Sequence, residues 1–178
     1  MDGNRRFAWG SNIERDLGHR HGKEKLKEVM NWILDLEIPY LTVYALSTEN
    51  MRERPEDELE SLYDLYVAGL DEIVSRAKTR NLKVVAATII ARNPLPRRGL
   101  PPELGFGAER NTHRHAVNEW IRSNGDLDAV FDFDAVVKDP IDRNLINSIY
   151  DCDGIHPNVF GYAAMGRSID LSLFSEGQ

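Results

Sequence analysis

The chain has 178 residues, 42% of them hydrophobic and 29% charged, with a formal net charge of −7. That length suits one domain with a real core and hardly two, so a single α/β domain over 1–178 is expected. The acidic balance and the absence of a basic face argue against a nucleic-acid partner, and the lone Cys152 excludes an internal disulfide.

No apolar run reaches the roughly 18 residues that a membrane span requires. The chain is polar from its second residue. It therefore reads as cytoplasmic, with no signal peptide and no integral membrane segment.

In chain order, "KEKLKEVMNWILDL" places Leu26, Val29, Met30, Ile33 and Leu36 at helical spacing, and Pro39 is expected to end that helix. "YLTVYAL" (40–46) is β-branched, aromatic and uncharged, which predicts a strand buried on both faces. "RPEDELESLYDLYVAGLDEIVSRAKTR" predicts the next helix, with Pro55 and acids in its first turn. "LKVVAATII" (82–90) predicts a second buried strand. A long Pro/Gly/Arg loop follows, "ARNPLPRRGLPPELGFG". A helix from about Ala108 to Arg122, a third strand in "AVFDF" and a last helix beginning near Pro157 complete the order. Asp132 and Asp134, at the end of the third strand, read as structural or turn residues.

Alternating helices and strands predict an α/β fold: a three-layer α/β/α, Rossmann-like or flavodoxin-like arrangement with a small parallel sheet of about three strands. No strand precedes "MDGN", so the first ten residues are expected to be irregular or mobile.

"MDGNRRFA", "GHRHG" and "YLTVYALSTENMRERP" resemble, in order and spacing, the N-terminal portion of the cis-prenyltransferases, the undecaprenyl diphosphate synthase family. The resemblance covers residues 1 to about 65. It implies condensation of isopentenyl diphosphate onto an allylic diphosphate, with Mg²⁺. It makes Asp2 the catalytic, metal-linked acid and matches Arg6, Arg15 and His19 to diphosphate-binding positions. The residue types suit that chemistry. Gly3 and Asn4 can present backbone N–H groups to a diphosphate, arginines supply planar donors, and one carboxylate with diphosphate oxygens can hold Mg²⁺. Asn50 matches the region that handles the second substrate. Met51 stands where an aromatic residue is usual, and one extra residue before Pro55 leaves Arg52 and Arg54 as alternatives. The family's "RxSGExRxSNF" segment has no match after residue 65.

"AGLDEIVSRAKTRNLKVVAATI", "HAVNEWIRSNGDLDAVFDFDAVVKDP" and "YDCDGIHPNVFGYAAMGRSIDLSLF" resemble the C-terminal half of the SGNH (GDSL-type) hydrolases. In "DGIHPN" that resemblance implies His156 as general base and Asp153 as its orienting acid. The chain contains neither the Gly-Asp-Ser block nor the G-x-N-D block of that family.

Together these readings describe a chimera with its junction in 59–77. The expected function is an α/β domain with two incomplete sites, weak diphosphate binding and no efficient natural activity. The alternatives are weak ester hydrolysis through Asp153 and His156, and cis-prenyl transfer. Strand order places Ser47, Thr48 and Asn50 at a carboxyl edge of the sheet, with Ser47 a candidate for substrate or diphosphate binding and a candidate partner for His156. The expected ligand is a small anion, a diphosphate or an ester, with Mg²⁺ as cofactor only if the prenyltransferase-like site functions.

Overall fold

The structure, a computed structural model, describes residues 7, 9–12, 15–43, 68–93 and 108–175. The chain divides into two compact units, Met1–Ile73 and Val74–Gln178.

In the first unit, helix α1 (Arg15–Asp35) begins a full two turns before the run that periodicity singles out. Gly18 and Gly22, poor helix formers, lie inside it, and Gly18 is buried. Leu26 and Met30 form its buried face. Ion pairs along its surface, Lys25–Glu28 at 2.5 Å and Lys27–Glu24 at 2.8 Å, support it at (i, i+3) spacing. Glu72 receives Lys23 at 2.6 Å and also pairs with Lys27, and these ammonium groups hold its carboxyl down at about 2.

The helix ends before Pro39, and local backbone geometry rather than the proline stops it. Glu37 adopts φ 53°, with Glu37 N–H donating to Leu34 O and Ile38 N–H to Ile33 O, both at 3.0 Å. These two bonds close a Schellman motif on a non-glycine residue. Residues 41–43 are not in a strand, and 44–46 lie outside the described residues, so the strand expected at 40–46 is not seen where it can be checked. Phe7, Trp9 and Gly10 are helical, contrary to the irregular N-terminus expected there.

Helix α2, described over 68–78, closes with the same device. Asn81 takes φ 61°, its N–H donates to Lys78 O at 2.9 Å, and Leu82 N–H reaches Ala77 O at 3.1 Å.

In the second unit, β1 (Val85–Ala87) and β2 (Ala129–Phe131) form a two-stranded parallel sheet in the register Val85–Ala129, Ala86–Val130, Ala87–Phe131. Helix α3 (Ala108–Ser123) lies between them in the chain, the crossover that a parallel pair requires. The α/β fold class and the small parallel sheet agree with expectation. The strands are shorter than 82–90 and 128–133, and Val85 and Ala87 are exposed rather than buried on both faces. Asp128 starts the pair: its carboxylate accepts Val84 N–H at 2.6 Å and Lys78 Nζ at 2.6 Å, while its own N–H donates to Val84 O. β2 stops at Phe131 because Asp132 caps a short helix, α4 (Phe133–Val137), accepting Ala135 N–H. Five residues carry too little periodicity for this helix to be predicted.

One apolar cluster of this unit is Ala91, Val137 and Ile146, with Ile90, Val136, Tyr150 and Met165 packed against them, and Val74, Ala77, Val117 and Ile121 are also buried. Beside it runs a buried polar network. Arg114 is fully buried, and its guanidinium donates to Asp134 Oδ1 at 2.5 Å, Asn111 Oδ1 at 3.1 Å and Arg143 O at 2.9 Å. The other oxygen of Asp134 accepts Arg122 at 2.9 Å, and Arg122 also clasps Asp132 at 2.7 and 2.8 Å. Thr88 closes the ring, donating to Asp132 at 3.0 Å and accepting Asp134 N–H at 2.9 Å. Asp132 and Asp134, read from sequence as structural or turn residues, both take part in this network. Burial pulls the Arg114 guanidinium below its ordinary value, and Asp134 opposes that.

Helix α5 (Val159–Arg167) starts on the Asn158 side chain, which accepts Phe160 and Gly161 N–H; Pro157 lies just outside it. A 3₁₀ turn, Leu171–Phe174, follows, capped by Asp170.

Two outcomes follow. Removing Asp134 leaves a buried, unpaired guanidinium, which typically costs about 3–5 kcal/mol. Asp134→Ala should therefore shift urea unfolding by that amount, and a loss below about 1 kcal/mol would show that other groups satisfy Arg114. The second outcome concerns acid. Arg122 holds the Asp132 carboxyl down at about 2 from an ordinary 3.8. A depressed carboxyl contributes stability in full above its unfolded value and loses it as pH falls through the folded one. Stability should thus decline between about pH 4 and 2, and less steeply in Asp132→Asn. Equal slopes in the two proteins would remove Asp132 from the account.

Candidate functional site

The described candidate is the turn Asp151–His156. Asp153 folds back on the backbone that follows it, its Oδ1 accepting Ile155 N–H at 3.0 Å and His156 N–H at 2.8 Å. This is what a short acidic side chain does in a turn, and it needs no function to explain it. The second feature is less ordinary. His156 Nδ1 lies 2.9 Å from Asp153 Oδ2 and 3.1 Å from Oδ1.

The His156 ring and then its backbone N–H hold the Asp153 carboxyl well below the usual carboxylate range, so it stays ionised and can only accept. Nδ1 therefore carries the proton in this contact. In the neutral ring that leaves a lone pair on Nε2, the atom that can take a proton from a nucleophile or a water. The imidazole is 57% exposed and the carboxylate 39%, so substrate or solvent can reach the pair.

The surrounding chain is braced on both sides. Gly154 is buried at φ 78°, a conformation that disfavours a side chain, and its N–H donates to Asp151 Oδ1 at 2.7 Å. Cys152 N–H donates to His156 O, and Asp151 bridges to Pro157. Asn158 Nδ2 donates to Ile149 O and Asp151 O while its Oδ1 starts α5. Gly161, in the first turn of α5, approaches so closely that an added Cβ would lie 2.8 Å from Pro157 Cβ and 2.9 Å from Tyr150 O. The helix can pack against the turn only because residue 161 has no side chain.

The structure thus brings Asp153 and His156 together. The other candidates lie elsewhere in the chain. Asp2, Gly3, Asn4, Arg6, Ser47, Thr48, Asn50, Arg52 and Arg54 are outside the described residues. Arg15 and His19 are in α1, and only the backbone of these two residues is described. Asn93 and Asp151, which brace the turn, were not singled out by sequence. An asparagine beside a proline in a long loop carries no signal of its own. Among the described residues no group of three or more His, Cys, Asp or Glu is placed to hold a metal ion. Among them, too, no helix is long and apolar enough to cross a membrane.

A family model described as "Putative undecaprenyl diphosphate synthase" matches residues 1–99. The match runs through and beyond the 59–77 stretch in which the sequence suggests a junction. Similar proteins include a tritrans,polycis-undecaprenyl-diphosphate synthase (geranylgeranyl-diphosphate specific) of Methanopyrus kandleri, 42% identical over 98 residues, which are 55% of this chain and 36% of that protein. The Methanocaldococcus jannaschii protein of the same name is 34% identical over 170 residues, 89% of this chain and 60% of its own length. An isoprenyl transferase of Heliobacterium mobile is 37% identical over 131 residues, 73% and 49% of the two chains. The chain spans from 36% to 60% of the length of these relatives. A Bacteroides fragilis crystal structure described as a "putative acylhydrolase" aligns over 64% of this chain and 52% of its own, with 18% identity and a TM-score of 0.45. So slight a likeness carries no argument. With more than half of its residues matched to the family model, this chain belongs to the undecaprenyl diphosphate synthase family.

Proposed function

We propose that the chain binds a prenyl diphosphate with Mg²⁺ and extends it with isopentenyl diphosphate, as a cis-prenyltransferase. The observation that carries this reading is the family match over 1–99, because that stretch holds the metal-linked candidate Asp2 and every diphosphate or substrate candidate: Gly3, Asn4, Arg6, Arg15, His19, Ser47, Asn50, Arg52 and Arg54. The comparisons give no support to the expectation of no efficient activity, so transfer becomes the first reading.

The chemistry assigns roles to these residues. Negative charge grows on the diphosphate as the allylic C–O bond breaks. Donors fixed around it lower the barrier, and Gly3 and Asn4 N–H with Arg6 and Arg15 are the donors available. Asp2 offers a hard oxygen ligand, and with diphosphate oxygens this donor set fits Mg²⁺. Bound there, Mg²⁺ would neutralise diphosphate charge. Asn50 and Arg52 or Arg54 would face the second diphosphate. The resemblance of the later residues to hydrolases, and with it the chimera, stays a proposal supported by the Asp153–His156 pairing.

That pairing favours a second reading, weak ester hydrolysis. His156 Nε2 would draw the proton from a water as its oxygen attacks the ester carbonyl, and the alcohol would leave with that proton as the carbonyl re-forms. Without a preorganised nucleophile and oxyanion donors, turnover should be barely above background, since one lost donor alone costs on the order of 10²–10³ in kcat.

Two assays follow. Geranylgeranyl diphosphate, named for the archaeal relatives, is incubated with Mg²⁺ and labelled isopentenyl diphosphate, and butanol-extracted product is counted. Label should appear in longer prenyl chains, stop on chelation, and fall by on the order of 10²-fold or more in Asp2→Ala. Product that persists undiminished in that variant would refute the role given to Asp2. In the second assay, hydrolysis of a p-nitrophenyl ester should drop to background in His156→Ala and stay level in Asp2→Ala. Turnover that survives His156→Ala would show that the pair is only a turn.

A further inference from the structure

Three bonds from one side-chain amide in the second unit have no part in the sheet or the core. Asn93 Oδ1 accepts Ile146 N–H at 2.8 Å, and Asn93 Nδ2 donates to Ile146 O at 3.0 Å. The amide therefore pairs with both peptide groups of Ile146, as a neighbouring strand would. Its remaining N–H donates to Asp151 Oδ2 at 2.6 Å. The Asn93 backbone adds a fourth bond, its N–H donating to Gly154 O at 2.9 Å. Ala91 and Ile146 belong to the buried core, so Asn93 is anchored at both ends of this reach.

The consequence falls on the turn. Gly154 is the positive-φ hinge from which Ile155 and His156 lead off. Its N–H is held by Asp151 Oδ1, and its carbonyl is held by Asn93 N–H. Asp151 is itself oriented by the Asn93 amide. Both peptide groups of the hinge thus depend on Asn93, one directly and one through Asp151. Rotation of either would swing His156 relative to Asp153 and break the Nδ1 contact.

We infer that Asn93 is the positioning residue of the Asp153–His156 pair: by clamping the Gly154 hinge it holds the imidazole in the Nδ1–H form, with Nε2 free to accept a proton. The value of this for hydrolysis rests on the second reading above. The tautomer itself does not.

The test uses the full chain labelled with ¹⁵N-histidine, the His156 signals assigned through His156→Ala. Long-range ¹H–¹⁵N spectra at a pH where imidazole is neutral report which ring nitrogen carries the proton. The wild type should show the Nδ1–H form. In Asn93→Asp a second carboxylate faces Asp151 and the donors are lost, so the signals should move toward the Nε2–H form. Asn93→Asp combined with Asp151→Asn restores the bond between the two side chains, with donor and acceptor exchanged, and should move the signals back toward the wild-type pattern. Ester hydrolysis, measured on the same proteins, should fall and recover in parallel. A folded Asn93→Asp protein with an unchanged tautomer overturns the proposal. If Asn93→Asp does not fold, Asn93→Ser, which keeps one oxygen for Ile146 N–H, is read by the same criterion. Hydrolysis insensitive to His156→Ala defeats the hydrolase reading alone, and the tautomer shift then still decides the role of Asn93.

Discussion

A guanidinium removed from water must find partners for its donors, and much of the Val74–Gln178 unit is arranged so that Arg114 does. Its partners come from four places: Asn111 on the same helix, Ile89 O just past β1, Asp134 in α4 and Arg143 O in the following loop. One side chain thereby fixes the distances between the crossover helix, the sheet and the loop that leads to the candidate turn. The same unit buries the apolar cluster of Ala91, Val137 and Ile146. Apolar contact is non-directional, whereas a buried, hydrogen-bonded ion pair accepts few geometries. Asp134 adds to this by sharing itself with Arg122, which ties the same network to the cap of α4.

A short sheet also needs its edge satisfied. Among the described residues β1 pairs only with β2, and just past its end the backbone of Ile89 is not left open. Asn118 is fully buried, and its amide accepts Ile89 N–H at 2.7 Å and donates to Ile89 O at 2.9 Å. Asn93 does the same for Ile146. Two asparagines thus act as single-residue strands, one at the sheet and one at the turn. This removes the cost of unpaired buried peptide groups without lengthening a strand.

These features explain what sequence could and could not show. The extents of Ala108–Ser123 and Val159–Arg167 were legible, the first from its run of helix-forming residues and the second from the turn residues before it. The parallel sheet was legible from the order of elements. The extent of the strands was not, because side-chain amides and an aspartate cap take over where the apolar runs continue. Nor was the buried face of α3. Arg114 and Asn118 occupy it alongside Val117 and Ile121, and hydrophobic spacing passes over an arginine. Asp153 and His156 were legible as a pair through their spacing and the resemblance it carries. Their supports were not, since Asn93 lies 58 residues from Asp151 in the chain. For the diphosphate candidates, the ordered motifs from "MDGNRRFA" to "RERP" carried the family, and the match over 1–99 agrees with them. Their geometry lies outside the described residues.

The central functional claim is that a prenyl diphosphate is held by the N-terminal motif. Backbone amide spectra of the ¹⁵N-labelled chain, titrated with Mg²⁺ and geranylgeranyl diphosphate, test it most directly. Backbone N–H groups that donate to a diphosphate shift downfield, so the amides of Gly3, Asn4 and Arg6 should move in a saturable way, and Arg6→Ala should weaken the titration. An unchanged spectrum at saturating ligand, or shifts confined to the turn around His156, would contradict it.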